Sequence, residues 1–216
     1  QRDIGAALVD IGASLTNIGL FAGGMLVGIA TLSAGGNDIT DDIASEFGTR
    51  RSQAERLKCF YGSAISSPRD HQDLLDVSSP DDEDGERPKI TRAQLNAVIR
   101  KRLDHFVPQI GEILKKMGDG GPTGRQVVLT GGASELKGMA DYVQSVLGGS
   151  ARAATLNGVV SLPTSHVGPA FSNAVGLVMY AAQPQVDIRP MGVDRAGNGK
   201  DQRWWARIYA MWTRGK

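Results

Sequence analysis

Residues 6–16 read AALVDIGASLT, and residues 127–139 read VVLTGGASELKGM; between them these two stretches decide the fold. In the first, an apolar run ends on Asp10 and turns through Gly12, Ala13, Ser14 and Leu15 to Thr16. A carboxylate at a strand end, beside a tight turn carrying backbone N–H groups and hydroxyls, suits a magnesium-bound phosphate. Asp10 would hold the ion's water shell, while Gly12, Ser14 and Thr16 would meet phosphate oxygens. An ordinary hairpin turn explains the same Asp, Gly and Ser. In the second stretch a strand ends in Gly131 and Gly132, with Ala133, Leu136 and Gly138 following. Two glycines at a helix start let the backbone approach a ligand and direct the helix dipole at it. A strand-to-helix turn needing positive φ is the alternative. In this order, separated by a helical insert, the two motifs become specific.

Around these motifs the pattern alternates. ALVDIG, LTNIGLF and MLVGIATL read as three strands, broken at Ala22-Gly23-Gly24, as in an antiparallel meander. Ile39, Ile43 and Phe47 predict a helix that starts near Gly36 and stops at Gly48, and a second helix is expected over 52–60 with Ala54, Leu57 and Cys59 inward. Residues 61–89 lose all periodicity and are read as loop; between Asp70 and Glu86 they hold eight acidic residues and no Lys or Arg. A solubilising insertion fits better than a calcium loop, whose spacing is absent. A long helix over 90–117 has Leu95, Val98, Ile99, Leu103, Phe106, Ile110, Leu114 and Met117 on one stripe, with Thr91 as N-cap, and Pro108 with Gly111 should kink or split it. After the turn-rich stretch 118–124, a strand, a helix over 134–147 with Val146 inward, a strand near 151–155 and a small-residue helix over 169–182 are expected. The class is α/β.

Composition sets outer limits. The chain has 216 residues with 24 basic against 23 acidic side chains, which excludes a generally basic nucleic-acid binder. A single cysteine, Cys59, excludes an internal disulfide framework and a Cys-based metal cage, and cytoplasmic chemistry is expected. Cys59 itself is read as packing. No apolar run approaches the ~20 residues of a membrane-spanning helix. The chain opens at Gln1 and enters an apolar strand almost at once, as expected of a piece of something longer. His71, His105 and His166 stand far apart and are read as surface or packing residues. GDGGPTG precedes a strand, and Gly199-Lys200 is followed by Asp201, so neither is a nucleotide loop of the dinucleotide or P-loop kind.

The motif order resembles the second half of the actin and heat-shock-chaperone ATPase superfamily, in which a DxGxGxT phosphate-2 turn precedes a GGxxxxxG adenosine loop. GGNDITDDI (35–43), AERLKCFYG (54–62), VVLTGGASELKGM (127–139) and GPAFSNAVGL (168–177) are similar to the FtsA family of bacterial actin-like cell-division proteins. The resemblance implies an actin-like, RNase H-like ATPase fold with 1–37 and 125–182 as subdomain 2A. It makes 38–124 an inserted, α-rich subdomain 2B with an acidic loop at 69–87. It implies ATP and Mg2+ as cofactors of a full-length protein. Asp10 (metal through water), Gly12, Ser14 and Thr16 would form the phosphate-2 turn, and Gly35 and Gly36 would lie close to the nucleotide. Glu55 and Lys58 would approach ribose and adenine; Gly131, Gly132, Ala133 and Leu136 would form the adenosine loop.

One departure matters. Ala13, Ser14 and Leu15 stand where the family commonly has a glycine-glycine-threonine stretch, so binding is expected to survive better than hydrolysis. The superfamily's phosphate-1 loop and water-positioning residue belong to the half not in this sequence, so this piece alone is expected to bind ATP poorly or not at all and to be inactive, and the complete protein to be at most a weak ATPase. A sugar or acetate kinase and a soluble pilus-assembly or chaperone-type ATPase share both motifs and remain the rival readings.

The C-terminal stretch discriminates among them. Residues 183–202 are rich in Pro, Gly and polar residues and read as a linker. Then come Arg203, Trp204, Trp205, Arg207, Ile208, Tyr209, Met211, Trp212 and Arg214, which include all three tryptophans of the chain. At ~100° per residue the apolar and aromatic side chains fill one face and the arginines another. An amphipathic helix over 203–216, lying in an anionic membrane interface, is expected; docking on the protein's own core or in a partner groove are the alternatives. The family implies the same anchor, with FtsZ and other division proteins as partners, filament self-association, no nucleic acid, and a place on the cytoplasmic face of the inner membrane at the septum.

Overall fold

The computed structural model describes residues 5–77, 88–118, 126–156 and 168–182. The expected linker and amphipathic helix, and most of the turn-rich stretch 118–124 and of the acidic loop, lie outside the described residues. The chain begins with a meander of β1 (Ala6–Ile11), β2 (Thr16–Ala22) and β3 (Met25–Leu32). Helices α1 (Gly36–Phe47) and α2 (Arg51–Tyr61) follow, then a 3-10 turn at Pro68–His71, short strands β4 (Leu74–Asp76) and β5 (Lys89–Thr91), and the long α3 (Arg92–Lys116). Strand β6 (Gln126–Thr130), a 3-10 turn (Gly132–Glu135), α4 (Met139–Leu147), β7 (Ser150–Ala153), a 3-10 turn (Pro169–Phe171) and α5 (Ser172–Ala182) are the remaining elements among the described residues. The main sheet has the order β3-β2-β1-β6-β7. β1 runs antiparallel to β2 but parallel to β6, which places the ends of β1 and β6 side by side.

The core follows from the periods. Ala7, Val9 and Ile11 of β1 and Ile18 and Leu20 of β2 turn one sheet face inward. Ile39 and Ile43 of α1, Ile99, Leu103, Val107 and Ile110 of α3, and Met139, Tyr142 and Val143 of α4 belong to the same buried cluster. Gly48 closes α1 in the left-handed conformation (φ +59°), and the Thr91 hydroxyl accepts a hydrogen bond from the Gln94 N–H at the start of α3, as expected of both residues. Residues through Gly176 form one compact unit and a second begins at Leu177; in the second, Leu177, Val178 and Tyr180 are exposed. Among the described residues no helix is long and apolar enough to cross a membrane.

Several expectations are corrected. α3 runs unbroken through Pro108: burial of Leu103, Phe106, Val107 and Ile110 outweighs the one hydrogen bond that proline removes. The helix expected over 134–147 starts only at Met139, because Gly138 adopts φ +75°, which an α-helix interior does not accept. Val146 is exposed. The segment read as loop over 61–89 contains the β4–β5 ladder, Leu74 opposite Thr91 and Asp76 opposite Lys89. It also buries Asp70, whose carboxylate accepts bonds from the Ser67 N–H and the Asn96 amide. Cys59 is exposed rather than packed, for Ala54 and Leu57 take the inward side of α2.

Candidate functional site

The parallel pairing of β1 with β6, Asp10 opposite Thr130, brings both glycine turns to one end of the sheet. The first turn closes on itself, the Gly12 N–H donating to Leu15 O at 2.9 Å. It then receives the start of α1, with Gly36 N–H to Gly12 O at 2.9 Å and Asn37 N–H to Ala13 O at 2.7 Å. Only glycine fits at 35, where a Cβ would come 2.6 Å from Gly12 O and 2.7 Å from Ala13 O. Gly131 is tighter still. Its φ is +84°, and a Cβ there would meet Ile11 O at 2.4 Å and Asp10 Oδ1 at 2.5 Å.

Helix α2 supplies the third wall. Lys58 Nζ donates to Gly36 O (3.0 Å), Thr40 Oγ1 (2.8 Å) and Glu55 Oε2 (2.7 Å), so all three ammonium protons are used to tie α2 to α1. Its side chain is 11% exposed, against 47% for Glu55. Burial alone would raise the Glu55 carboxyl, but hydrogen bonds from Lys58, Thr40 and Cys59 outweigh it and hold the group below its ordinary value. Burial, then the bond to Glu55, pushes the Cys59 thiol up, so the neighbouring Lys58 does not make it a thiolate.

These walls enclose a cleft of about 430 Å3 lined by Gly12, Ala13, Gly36, Asn37, Ile39, Glu55, Lys58, Cys59, Gly132, Ala133, Glu135 and Leu136. Seven of the residues expected from sequence, Gly12, Gly36, Glu55, Lys58, Gly132, Ala133 and Leu136, therefore meet at one place. Gly35, Gly131 and Asp10 stand behind the lining as close-packed turn residues. The Ser14 hydroxyl accepts from the Asn37 side chain at 2.9 Å. Thr16 lies outside the lining: it is wholly buried and donates to Ala34 O at 2.8 Å. Asn37, Cys59 and Glu135 line the cleft without having been singled out for it. Asn173, within the GPAFSNAVGL stretch, reaches Asp10 Oδ2 at 2.9 Å. A larger depression of about 660 Å3 between α1 and α3 holds none of the expected residues. Asp42 and Arg102, two of the charged residues lining it, pair with each other.

The chemistry of the cleft fits one side of a nucleotide site. Its volume lies within the range of small-molecule pockets, and its glycines leave backbone where side chains would intrude. Apolar Ala133 and Leu136, with Ile39 beneath them, offer a surface for a base, and Glu55 offers carboxylate oxygens for hydroxyls. Among the described residues no three His, Cys, Asp or Glu side chains gather to hold a metal directly. A lone carboxylate such as Asp10 suits magnesium, which keeps most of its water.

The FtsA family model, described as cell division protein FtsA, matches residues 7–176. Cell division protein FtsA of Agrobacterium fabrum is 34% identical over 189 residues, an alignment covering 87% of this chain and 43% of that relative. The chain thus spans less than half the length of the curated relative it matches. Among solved structures, a chain of the PilM-PilN type IV pilus biogenesis complex superposes with a TM-score of 0.64 at 21% identity, covering 85% of this chain and 47% of that one. MreB5 of Spiroplasma citri bound to ADP superposes with a TM-score of 0.58 at 20% identity, covering 71% and 50%. These likenesses establish the α/β, actin-like fold that the order of the two glycine turns implied. With the match running from β1 into α5, the chain belongs to the FtsA family of actin-like cell-division proteins.

Proposed function

We propose that the cleft is one half of an ATP·Mg2+ site, and that the chain is part of a bacterial division protein acting as a polymerising membrane scaffold. Asp10 would hold metal-bound water, with the Gly12–Ser14 backbone facing phosphate. Glu55 would accept from ribose hydroxyls, and Gly132, Ala133 and Leu136 would cover the base. Lys58 holds the wall these groups stand on. Magnesium supplies neutralisation of phosphate charge when bound. The altered turn at Ala13, Ser14 and Leu15 favours binding over hydrolysis.

In this reading residues 1–37 and 125–182 form subdomain 2A, and 38–124 form subdomain 2B, with FtsZ and other division proteins as partners. Weak C-terminal helices, multiplied by filament self-association, would hold FtsZ at the cytoplasmic face of the inner membrane at the septum. The observation that carries the nucleotide reading is the convergence on one cleft of turns from β1 and β6 with the Glu55–Lys58 pair of α2. Titrating the chain with Mg·ATP while following backbone amide resonances tests it. Saturable shifts are expected at Gly12, Gly36, Cys59 and Gly132 through Leu136, even at millimolar affinity. Saturable shifts confined to other surfaces would overturn the reading.

A further inference from the structure

Asp10 sits where three segments meet. It faces Thr130 of β6 and Asn17 of β2 across the sheet. One carboxylate oxygen, Oδ1, lies so near Gly131 that a Cβ there would stand 2.5 Å away. The other, Oδ2, accepts a hydrogen bond of 2.9 Å from the side-chain amide of Asn173, 163 positions further along the chain.

Asn173 is itself held in place by the segment before it. The Gly131 N–H and the Thr130 hydroxyl both donate to Pro169 O, at 3.1 and 3.2 Å. The Ala170 N–H donates to Glu135 Oε1 at 3.2 Å. The fit is close enough that a Cβ on Gly168 would fall 2.2 Å from that same oxygen. The second glycine turn is thus strapped to the residue that reaches the aspartate of the first.

An amide is a suitable donor for this task. A lysine or arginine at 173 would neutralise Asp10 and compete with a cation for its charge. An asparagine N–H fixes the carboxylate's orientation and leaves its negative charge intact. A carboxylate accepts at about four lone-pair sites, so one bond from Asn173 leaves acceptor capacity for metal-bound water. Asn173 is exposed, so the bond adds little to the stability of the fold, and its consequence falls on the direction of Asp10.

We propose that Asn173 is a positioning residue, which holds the Asp10 carboxylate in the orientation that receives magnesium's water and so sets the magnesium dependence of nucleotide binding. The proposal rests on the reading of the cleft as an ATP·Mg2+ site. Partners that orient a metal-binding group commonly change metal affinity by about 10- to 100-fold when removed.

The test measures ATP dissociation constants by amide-resonance titration of the 216-residue chain, in excess Mg2+ and again in EDTA. The wild type is compared with Asn173→Ala, Asn173→Ser and Asp10→Asn. Serine keeps a polar residue at the helix start but is too short to reach Asp10, so both Asn173 variants should behave alike. Each is expected to lose about tenfold of the Mg2+-to-EDTA affinity ratio, with the EDTA constant unchanged and the unliganded melting temperature within about 2 °C of wild type. If both keep the wild-type ratio while Asp10→Asn abolishes it, the proposal falls and the nucleotide reading stands. Equal weakening in Mg2+ and EDTA would also overturn it, pointing to packing of the 168–173 segment. If the wild type and Asp10→Asn share one ratio, the cleft is not an ATP·Mg2+ site and both readings fall.

Discussion

At residue 55 a carboxylate is held by three neighbours. Lys58 and Thr40 bond to Oε2 at 2.7 and 2.5 Å, and the Cys59 thiol donates to Oε1 at 3.3 Å. Because the folded carboxyl lies below its ordinary value of 4.5, it contributes stability above that value. That contribution is lost as pH falls through the folded value. Glu55→Gln is therefore expected to flatten part of the acid limb. Urea midpoints of variant and wild type should differ most above pH 4.5 and converge as pH falls below it. Parallel curves would mean that the Lys58 and Thr40 bonds are not felt. The part of this site that sequence conveys is the residue type at each position. What it does not convey is the saturation of Lys58: that follows from Gly36 O standing 3.0 Å away, a contact across 22 positions. Asn173 is hidden for the same reason, its partner lying 163 positions earlier. Cys59 was within reach of the sequence, since a residue two steps after buried Leu57 on a helix points about 200° away from it.

At the scale of elements, the strand-to-turn junction at Gly131 is the least tolerant point described. Gly131→Ala combines φ +84° with a Cβ 2.4 Å from Ile11 O, and is expected to cost about 3 kcal/mol. Denaturant unfolding would register this, and a loss under about 1 kcal/mol would contradict the geometry. The α3–α4 contact makes a second prediction. Tyr142 donates its hydroxyl to Asp104, and burial followed by that bond pushes the phenol up to about 12 from 10.0. The neutral phenol is the form the fold favours, so its stabilisation is complete below pH 10.0 and is lost as pH rises towards about 12. Tyr142→Phe should lower stability by about 1–2 kcal/mol at neutral pH and remove that alkaline dependence, both measurable by urea unfolding.

Which elements are legible follows from their length. α1 and α3 repeat their apolar side chains for three turns or more, and the Gly23-Gly24 turn marks its hairpin, so period and punctuation agree. β4 and β5 have three residues each, too few for alternation to register. They are held by tertiary burial of Leu75 and Ile90. The start of α4 depends on the left-handed turn at Gly138, which a Cβ would also crowd against Ile65, 2.7 Å away. That neighbour comes from a distant part of the chain, so sequence pattern offers no sign of it.

At the scale of the whole molecule, the compact unit through Gly176 should keep its stability without the C-terminal stretch. A chain ending at Gln202 is expected to melt within about 2 °C of the full chain. The full chain should sediment with vesicles containing anionic lipid, and the shortened one should not. Raising salt should weaken that binding, because exposed charges are screened. Equal sedimentation of both chains would remove Trp204, Trp205 and Trp212 from the proposed anchor.

The sheet order leaves β3 at one edge of the main sheet. Its segment MLVGIATL carries no charge, and Met25, Leu26, Val27 and Ile29 are all more than half exposed. Among the described residues no strand pairs with its outer edge, and an uncharged, apolar strand with an unpaired edge is a template for another strand. Eight residues of that composition also match the segments that stack into cross-β fibrils. Handled alone at high concentration, this chain carries its own seed for aggregation. The most direct remedy is a lysine at Ile29, on the sheet face away from the α1–α3 core.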